Sequence, residues 1–363
     1  MNIKQRIKSV SLGILFSMAV VPVASAEDIE IYTSLGATTT SNPNIMFVVD
    51  TSGSMGTETD VKEPYDHTKT YTGSCVSTGI YFVTDGKLPA CPGSTDYFDE
   101  TSNTCDHSVK GYEWSGYDET DTWIYGKTIT PPQEGSLLMI GTYSDQLAQF
   151  DTSSNKWRVI SVTKTSDRSL AVECFSDSGT HGKTNATNPF IKNTTGWTGT
   201  APADPEVPHP VWSNGAGNVQ LFHGNYVNYL SDNTVPLVPR SYLEQVKSAV
   251  EIMVRGNTRI DMGLMRFDTK SEGGPVMYPI LDVGADRNDF FSRLKTLSDS
   301  GYTPLSETYY ESLLYFGGKA ADYGESSVPK NQTGSTYTDG GTKYYNSPIS
   351  STCDKNYVVL LSD

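Results

Sequence analysis

Three hard oxygen groups fall on one short stretch of this chain: the carboxylate of Asp50 and the hydroxyls of Ser52 and Ser54. Donors of this type at this spacing suit a hard divalent cation such as Mg2+, Ca2+ or Mn2+. They follow the apolar run Ile45-Met46-Phe47-Val48-Val49, which fits a strand buried on both faces. The final residue, Asp363, repeats the arrangement after Tyr357-Val358-Val359-Leu360-Leu361-Ser362. The two acids therefore read as two sides of one metal site. The plainer alternative for Asp50-x-Ser52-x-Ser54 taken alone is a turn or a helix cap.

The elements that must position these groups follow an α/β pattern. Ser241 and Glu244 have capping-box spacing, with Leu243, Val246, Val250 and Met253 on one helical stripe and Gly256 as the stop. Ile260, Met262, Leu264 and Arg266 share one face of a strand that Phe267 closes. Residues 276–283 read as the next strand, held to a sheet edge by Pro279. Phe290, Phe291, Leu294 and Leu297 mark the buried side of a second helix. In Gly301-Tyr302-Thr303-Pro304-Leu305-Ser306-Glu307, Thr303 fits an N-cap and Pro304 the first helical position. Leu305, Tyr309, Leu313 and Phe316 continue at helical spacing until Gly317-Gly318. The order predicts an open α/β sheet, and such sheets bind ligands beyond the carboxyl ends of their strands.

Residues 56–239 differ in character, being rich in Gly, Ser, Thr, Asp and Tyr. Short β-like pieces occur at 137–140, 156–160 and 170–173. The stretch is too long for a structureless loop and reads as a β-rich insertion. Within it, Asp177-Ser178-Gly179 resembles a protease nucleophile segment but lacks the flanking glycines and any placed His-Asp pair, so a turn is the better reading.

The first residues read as an export signal: Lys4, Arg6 and Lys8, an apolar core over residues 10–23, and Ala24-Ser25-Ala26 as the cleavage site. The alternative, an N-terminal membrane anchor, needs a longer apolar span. A formal net charge of −15 makes nucleic acid and anionic lipid poor partners. Five cysteines (Cys75, Cys91, Cys105, Cys174 and Cys353) in an exported chain predict at least one disulfide, with the pairing open and an odd one left over. The absence of a CxxC pair argues against zinc.

Asp50-x-Ser52-x-Ser54, then Thr303 in a Thr-Pro-Leu loop, then Asp363 after an apolar strand, resembles a von Willebrand factor A domain in residue type and order. The resemblance implies a Rossmann-like, open, mostly parallel sheet with one antiparallel edge strand. It implies a metal-ion-dependent adhesion site in which Ser52, Ser54 and Thr303 reach the cation, while Asp50 and Asp363 supply charge and orient water. So few charged ligands leave the ion electrophilic, ready to take a carboxylate from a partner. The expected organisation is a signal at 1–26, a discontinuous A domain at 27–55 and 240–363, and the insertion at 56–239. The A domain is expected to be incomplete at its C-terminus, leaving the final strand as an open edge.

An A domain interrupted just after its first metal motif is similar to the N-terminal region of the PilY/PilC family of type IV pilus adhesins and assembly factors. Asn42-Pro43-Asn44 ahead of the first strand, Gly224-Asn225-Tyr226-Val227-Asn228-Tyr229-Leu230 and Cys353-Asp354-Lys355-Asn356-Tyr357 carry that narrower likeness. It implies a non-enzymatic, exported, pilus-associated protein. Its partners would be minor pilins and surface ligands offering a carboxylate, with no nucleic acid and no stable membrane span after signal cleavage. An unrelated exported A-domain protein, binding a ligand or matrix, is the alternative.

Overall fold

Every residue of the run 44–49 is buried, as a strand covered on both faces requires. The computed structural model describes residues 42–94, 96–109, 136–151, 156–160, 167–176, 180–183, 189–191, 217–269, 272–282, 287–323, 335–352 and 354–363. The expected signal, Asp177-Ser178-Gly179 and Cys353 lie outside these residues.

Along the chain, β1 (Asn44–Val49) is followed by a tight 3-10 turn (Gly53–Gly56), β2 (Glu58–Lys62), β3 (Gly79–Val83) and β4 (Tyr97–Asp99). Two short helices, α1 (Asp106–Val109) and α2 (Ser136–Ile140), precede β5 (Thr142–Asp145), β6 (Leu147–Asp151), β7 (Lys156–Val159) and β8 (Val172–Cys174). Then come β9 (Thr180–Lys183), β10 (Pro189–Ile191), β11 (Val219–His223), α3 (Gly224–Ser231), β12 (Leu237–Ser241) and α4 (Tyr242–Gly256). The last part holds β13 (Asp261–Arg266), β14 (Val276–Asp282), α5 (Arg287–Lys295), α6 (Leu305–Phe316), β15 (Thr336–Asp339), β16 (Thr342–Tyr345) and β17 (Asn356–Leu361).

The sheet that carries the site has the order β14-β13-β1-β17. β1 runs parallel to both neighbours, with Val49 opposite Arg266 on one side and Leu361 on the other. β14 is the antiparallel edge, as Pro279 predicts, and β17 is the other edge. Period-2 alternation divides the apolar side chains of β1. Ile45, Phe47 and Val49 pack with Leu243, Val250 and Val254 of α4 and with Phe290, Phe291 and Leu294 of α5. Met46 and Val48 pack on the opposite side with Tyr315 and Phe316 of α6. Each of these strand residues contributes about 1.5–3 kcal/mol by burial.

Local signals were well read at α4. Ser241 Oγ accepts from Glu244 N at 3.2 Å, and Glu244 Oε2 accepts from Ser241 N at 3.0 Å, a complete capping box.

The excursion after β1 leaves and returns through an antiparallel pair, β2 with β12, so its two stems are adjacent. Beyond it lie the antiparallel sheets β4-β3-β11-β5 and β7-β6-β8. Ile80, Phe98, Leu137, Tyr143, Val172 and Leu221 belong to a separate buried cluster there. Two disulfides, Cys75–Cys91 and Cys105–Cys174, staple this region and are compatible with export. Among the described residues, no helix is long and apolar enough to cross a membrane.

The chain is thus a mixed α/β protein with several sheets. Two expectations need correction. The fold as a whole is not mostly parallel: among the described residues, nine of the eleven strand pairings are antiparallel, and the parallel ones are the two that β1 makes. Residues 137–140 are helical rather than β, because Leu137 and Ile140, three apart, share the buried side; so short an apolar run has no period to separate the two states. The inward face of α6 is largely polar. Leu305, Tyr309 and Leu313 are exposed, while Thr308, Glu311, Ser312, Tyr315 and Phe316 are buried.

Hydrogen bonding explains that face. Thr308 Oγ1 donates to a carbonyl, the nearest being Gly273 O and Pro304 O at 2.8 Å each. Glu311, fully buried, accepts from Tyr345 Oη (2.6 Å), Asp322 N (3.1 Å) and Tyr323 N (3.0 Å). A buried polar face is stable when its groups find such partners.

Candidate metal centre

β1 and β17 deliver their following residues to one rim of the sheet. Asp50 begins there. Its carboxylate is fully buried, with Oδ1 accepting from Ser52 N at 2.7 Å and Oδ2 from Ser362 Oγ at 2.6 Å. Both oxygens are therefore oriented, one by its own loop and one by the end of β17. The backbone bond Asp50 N to Leu361 O, 2.8 Å, extends the parallel ladder to the same point.

Ser52 and Ser54 sit above. Their hydroxyls lie 3.0 Å apart, and Ser54 Oγ donates to Asp363 Oδ1 at 3.1 Å. The structure thus brings Asp50, Ser52, Ser54 and Asp363 into one hydrogen-bonded chain. Asp50 and Ser52 are buried beneath it, and Ser54 and Asp363 open to solvent.

The loop that precedes Thr303 crosses the Asp50 loop at the backbone of Gly301. Gly301 N donates to Thr51 O at 2.9 Å, and Gly301 forms an isolated parallel bridge with Ser52. Thr51 Oγ1 in turn donates to Phe267 O at 3.1 Å. Thr303 makes no direct hydrogen bond to the other four residues. It is also not the N-cap it was expected to be: α6 begins after Pro304, whose carbonyl accepts from Thr308 N at 2.9 Å. The exposed Thr303 hydroxyl is therefore not committed to capping.

The donor set can be tested against the cation that the resemblance implies. Cis ligands of an octahedral Mg2+ lie about 2.9 Å apart, given bonds of about 2.0–2.1 Å. The spacings Ser52–Ser54 and Ser54–Asp363, 3.0 and 3.1 Å, match that edge. The residues fit. Ser52, Ser54 and Thr303 would hold the ion, with Asp50 and Asp363 supplying charge. Among the described residues, no group of three or more His, Cys, Asp or Glu side chains is gathered for a metal; two acids with three hydroxyls are a different donor chemistry.

Four contributors were not singled out from the sequence. In the sequence Ser362 only ends an apolar run, Thr51 only separates Asp50 from Ser52, and Gly301 only opens a loop. Asp268, which follows Phe267 at the end of β13, is 1% exposed. Its one available signal was position: an acid two residues past a strand end, like Asp363. Asp299 also lies against the 3-10 turn, where Gly56 leaves room for its carboxylate.

Comparison with family models, with curated proteins and with solved structures found no match to this chain.

Proposed function

We propose that this chain is a non-enzymatic, exported adhesion protein that captures a carboxylate on its partner through a divalent cation. Its von Willebrand A-like part, residues 27–55 and 240–363, would carry the cation, and the β-rich insertion would flank it. In the narrower reading it acts in type IV pilus assembly, surface attachment and pilus-linked motility. Minor pilins and surface ligands are its partners there. The observation that supports this best is the hydrogen-bonded chain from Asp50 through Ser52 and Ser54 to Asp363, at the carboxyl ends of adjacent parallel strands. The two disulfides support a compartment outside the cytoplasm.

The chemistry is simple. A cation held mainly by neutral hydroxyls keeps much of its charge for an incoming anion. Asp50, fixed by Ser52 N and Ser362 Oγ, would supply charge from beneath the ion and leave its open side free.

The test is binding of a carboxylate-bearing surface by the purified chain, with Mg2+ or Mn2+ and with EDTA. Adhesion that needs the cation and drops about tenfold or more in Asp50→Ala or Thr303→Ala supports the adhesion site. Adhesion unchanged by EDTA sinks it. Recovery of the product in sheared pilus fractions decides the narrower reading, and its absence from them removes the pilus assignment while leaving the cation site standing.

A further inference from the structure

We infer that Asp268 is a positioning residue of this centre, acting from behind the Gly301 crossing and not as a ligand of the ion; the inference rests on the cation reading above. The argument begins with register. Val49 of β1 is opposite Arg266 on one side and Leu361 on the other. Asp268 and Asp363 each stand two residues beyond those partners. They flank the Asp50 loop from its two neighbouring strands, at the end of the sheet where ligands bind.

The backbone of Asp268 belongs to the same junction. Its carbonyl oxygen lies 3.0 Å from the point where a side chain at Gly301 would begin, and Thr51 O lies 3.0 Å from that point as well. The preceding carbonyl, Phe267 O, accepts from Thr51 Oγ1. The loops that supply Ser52 and Thr303 thus both close on Asp268.

Its side chain is in an unusual state. It is 1% exposed, Oδ1 has only a long contact from Thr269 Oγ1 at 3.4 Å, and Oδ2 has no hydrogen-bond partner among the described residues. Arg266 senses the Asp268 charge, but its Nη1 donates to Phe267 O at 2.7 Å. Glu311 offers the internal comparison. It is equally buried, and three donors meet its carboxylate. A buried carboxylate kept for structure is satisfied in this way. One left with an orphaned oxygen costs stability until a partner arrives. A water ordered by a divalent cation is such a partner, and outer carboxylates of this kind orient the inner ligands and tune affinity.

The experiment titrates Mg2+, Mn2+ and Ca2+ in turn into the purified chain and into Asp268→Asn and Glu311→Gln, reading affinity by calorimetry and thermal midpoint without cation. Asp268→Asn is expected to weaken cation binding about 10–100-fold while leaving the cation-free midpoint equal to or above wild type. Glu311→Gln is expected to lower the cation-free midpoint and leave affinity unchanged. Unaltered affinity in Asp268→Asn, or a loss of cation-free stability like that of Glu311→Gln, assigns Asp268 a merely structural role and overturns the proposal. If the wild-type chain binds none of the three ions, the cation reading itself fails, a result distinct from failure at Asp268 alone.

Discussion

Gly301 is the residue on which the geometry of the rim turns. A methyl group there would meet the carbonyls of Thr51 and Asp268 at 3.0 Å each, and both are backbone atoms that cannot rotate away. Gly301→Ala should therefore force the two loops apart. The expected cost is about 1–3 kcal/mol in chemical denaturation, accompanied by weaker cation binding. A denaturation midpoint equal to wild type would show that the crossing is not a constraint. That Asp50, Ser52, Ser54 and Asp363 come together was legible in sequence, because Asp50 and Asp363 each follow an apolar strand and the two serines follow Asp50 on its loop; Thr303 makes no such contact. Asp268 was not legible, because an acid after a strand ordinarily reads as solvated turn. It is buried nonetheless, with its backbone carbonyl beside Gly301, and no local pattern announces that.

At the scale of elements, the antiparallel edge carries an electrostatic conflict. Asp261 of β13 is directly opposite Asp282 of β14, and like charges so placed repel. Burial pushes the Asp261 carboxyl above its ordinary range; Asn42, whose Nδ2 donates to it at 2.8 Å, works against this, and the charges of Asp282 and Asp354 add to the rise. A folded-state value raised above the unfolded one means the ionised form destabilises the fold. The penalty is absent below the ordinary carboxyl value, grows as pH rises between the two values, and is complete above the folded one. Asp261→Asn should accordingly stabilise the protein at neutral pH, by about 0.2–1 kcal/mol. That gain should shrink to nothing as pH falls below the ordinary carboxyl range. Stability-pH curves of the two proteins check this, and a gain that persists at low pH would point to packing instead.

Elements also mark where periodicity succeeds and fails. It located α4, α5, β13 and β14 because one apolar face meets one apolar core in each. At α6 it marks the helix but not the face that is buried. The inward face there is Thr308, Glu311 and Ser312 ahead of Tyr315, stabilised by specific hydrogen bonds that a count of apolar residues cannot register.

At the scale of the whole molecule, two bodies of packing stand side by side in the sequence: the layers around β1, and the disulfide-stapled cluster of the excursion. Cys105 and Cys174 are both buried in the latter and close a loop with a sequence separation of 69. Chain-entropy reasoning makes that bond worth about 4 kcal/mol. Replacing both cysteines with serine should lower the denaturation midpoint. It should also strip hydrogen-exchange protection from β6 and β8 while sparing β1, β13 and β17. Equal loss in both regions would mean that they unfold as one unit. The α/β class could be read from the order of elements. The dominance of antiparallel pairing could not, since it arises in the excursion, where strands are short and turn residues frequent.

The adjacency of β1 and β17 has a mechanical consequence. The strands lie side by side and run the same way. Tension applied ahead of Asn44 and beyond Leu361 grips the ladder at opposite ends. Such a pull loads the hydrogen bonds in shear, so they must yield together rather than peel one by one. The long excursion, tied at its stems by β2 and β12, hangs outside that line of force. Its sheets remain unstrained until the clamp between β1 and β17 gives way.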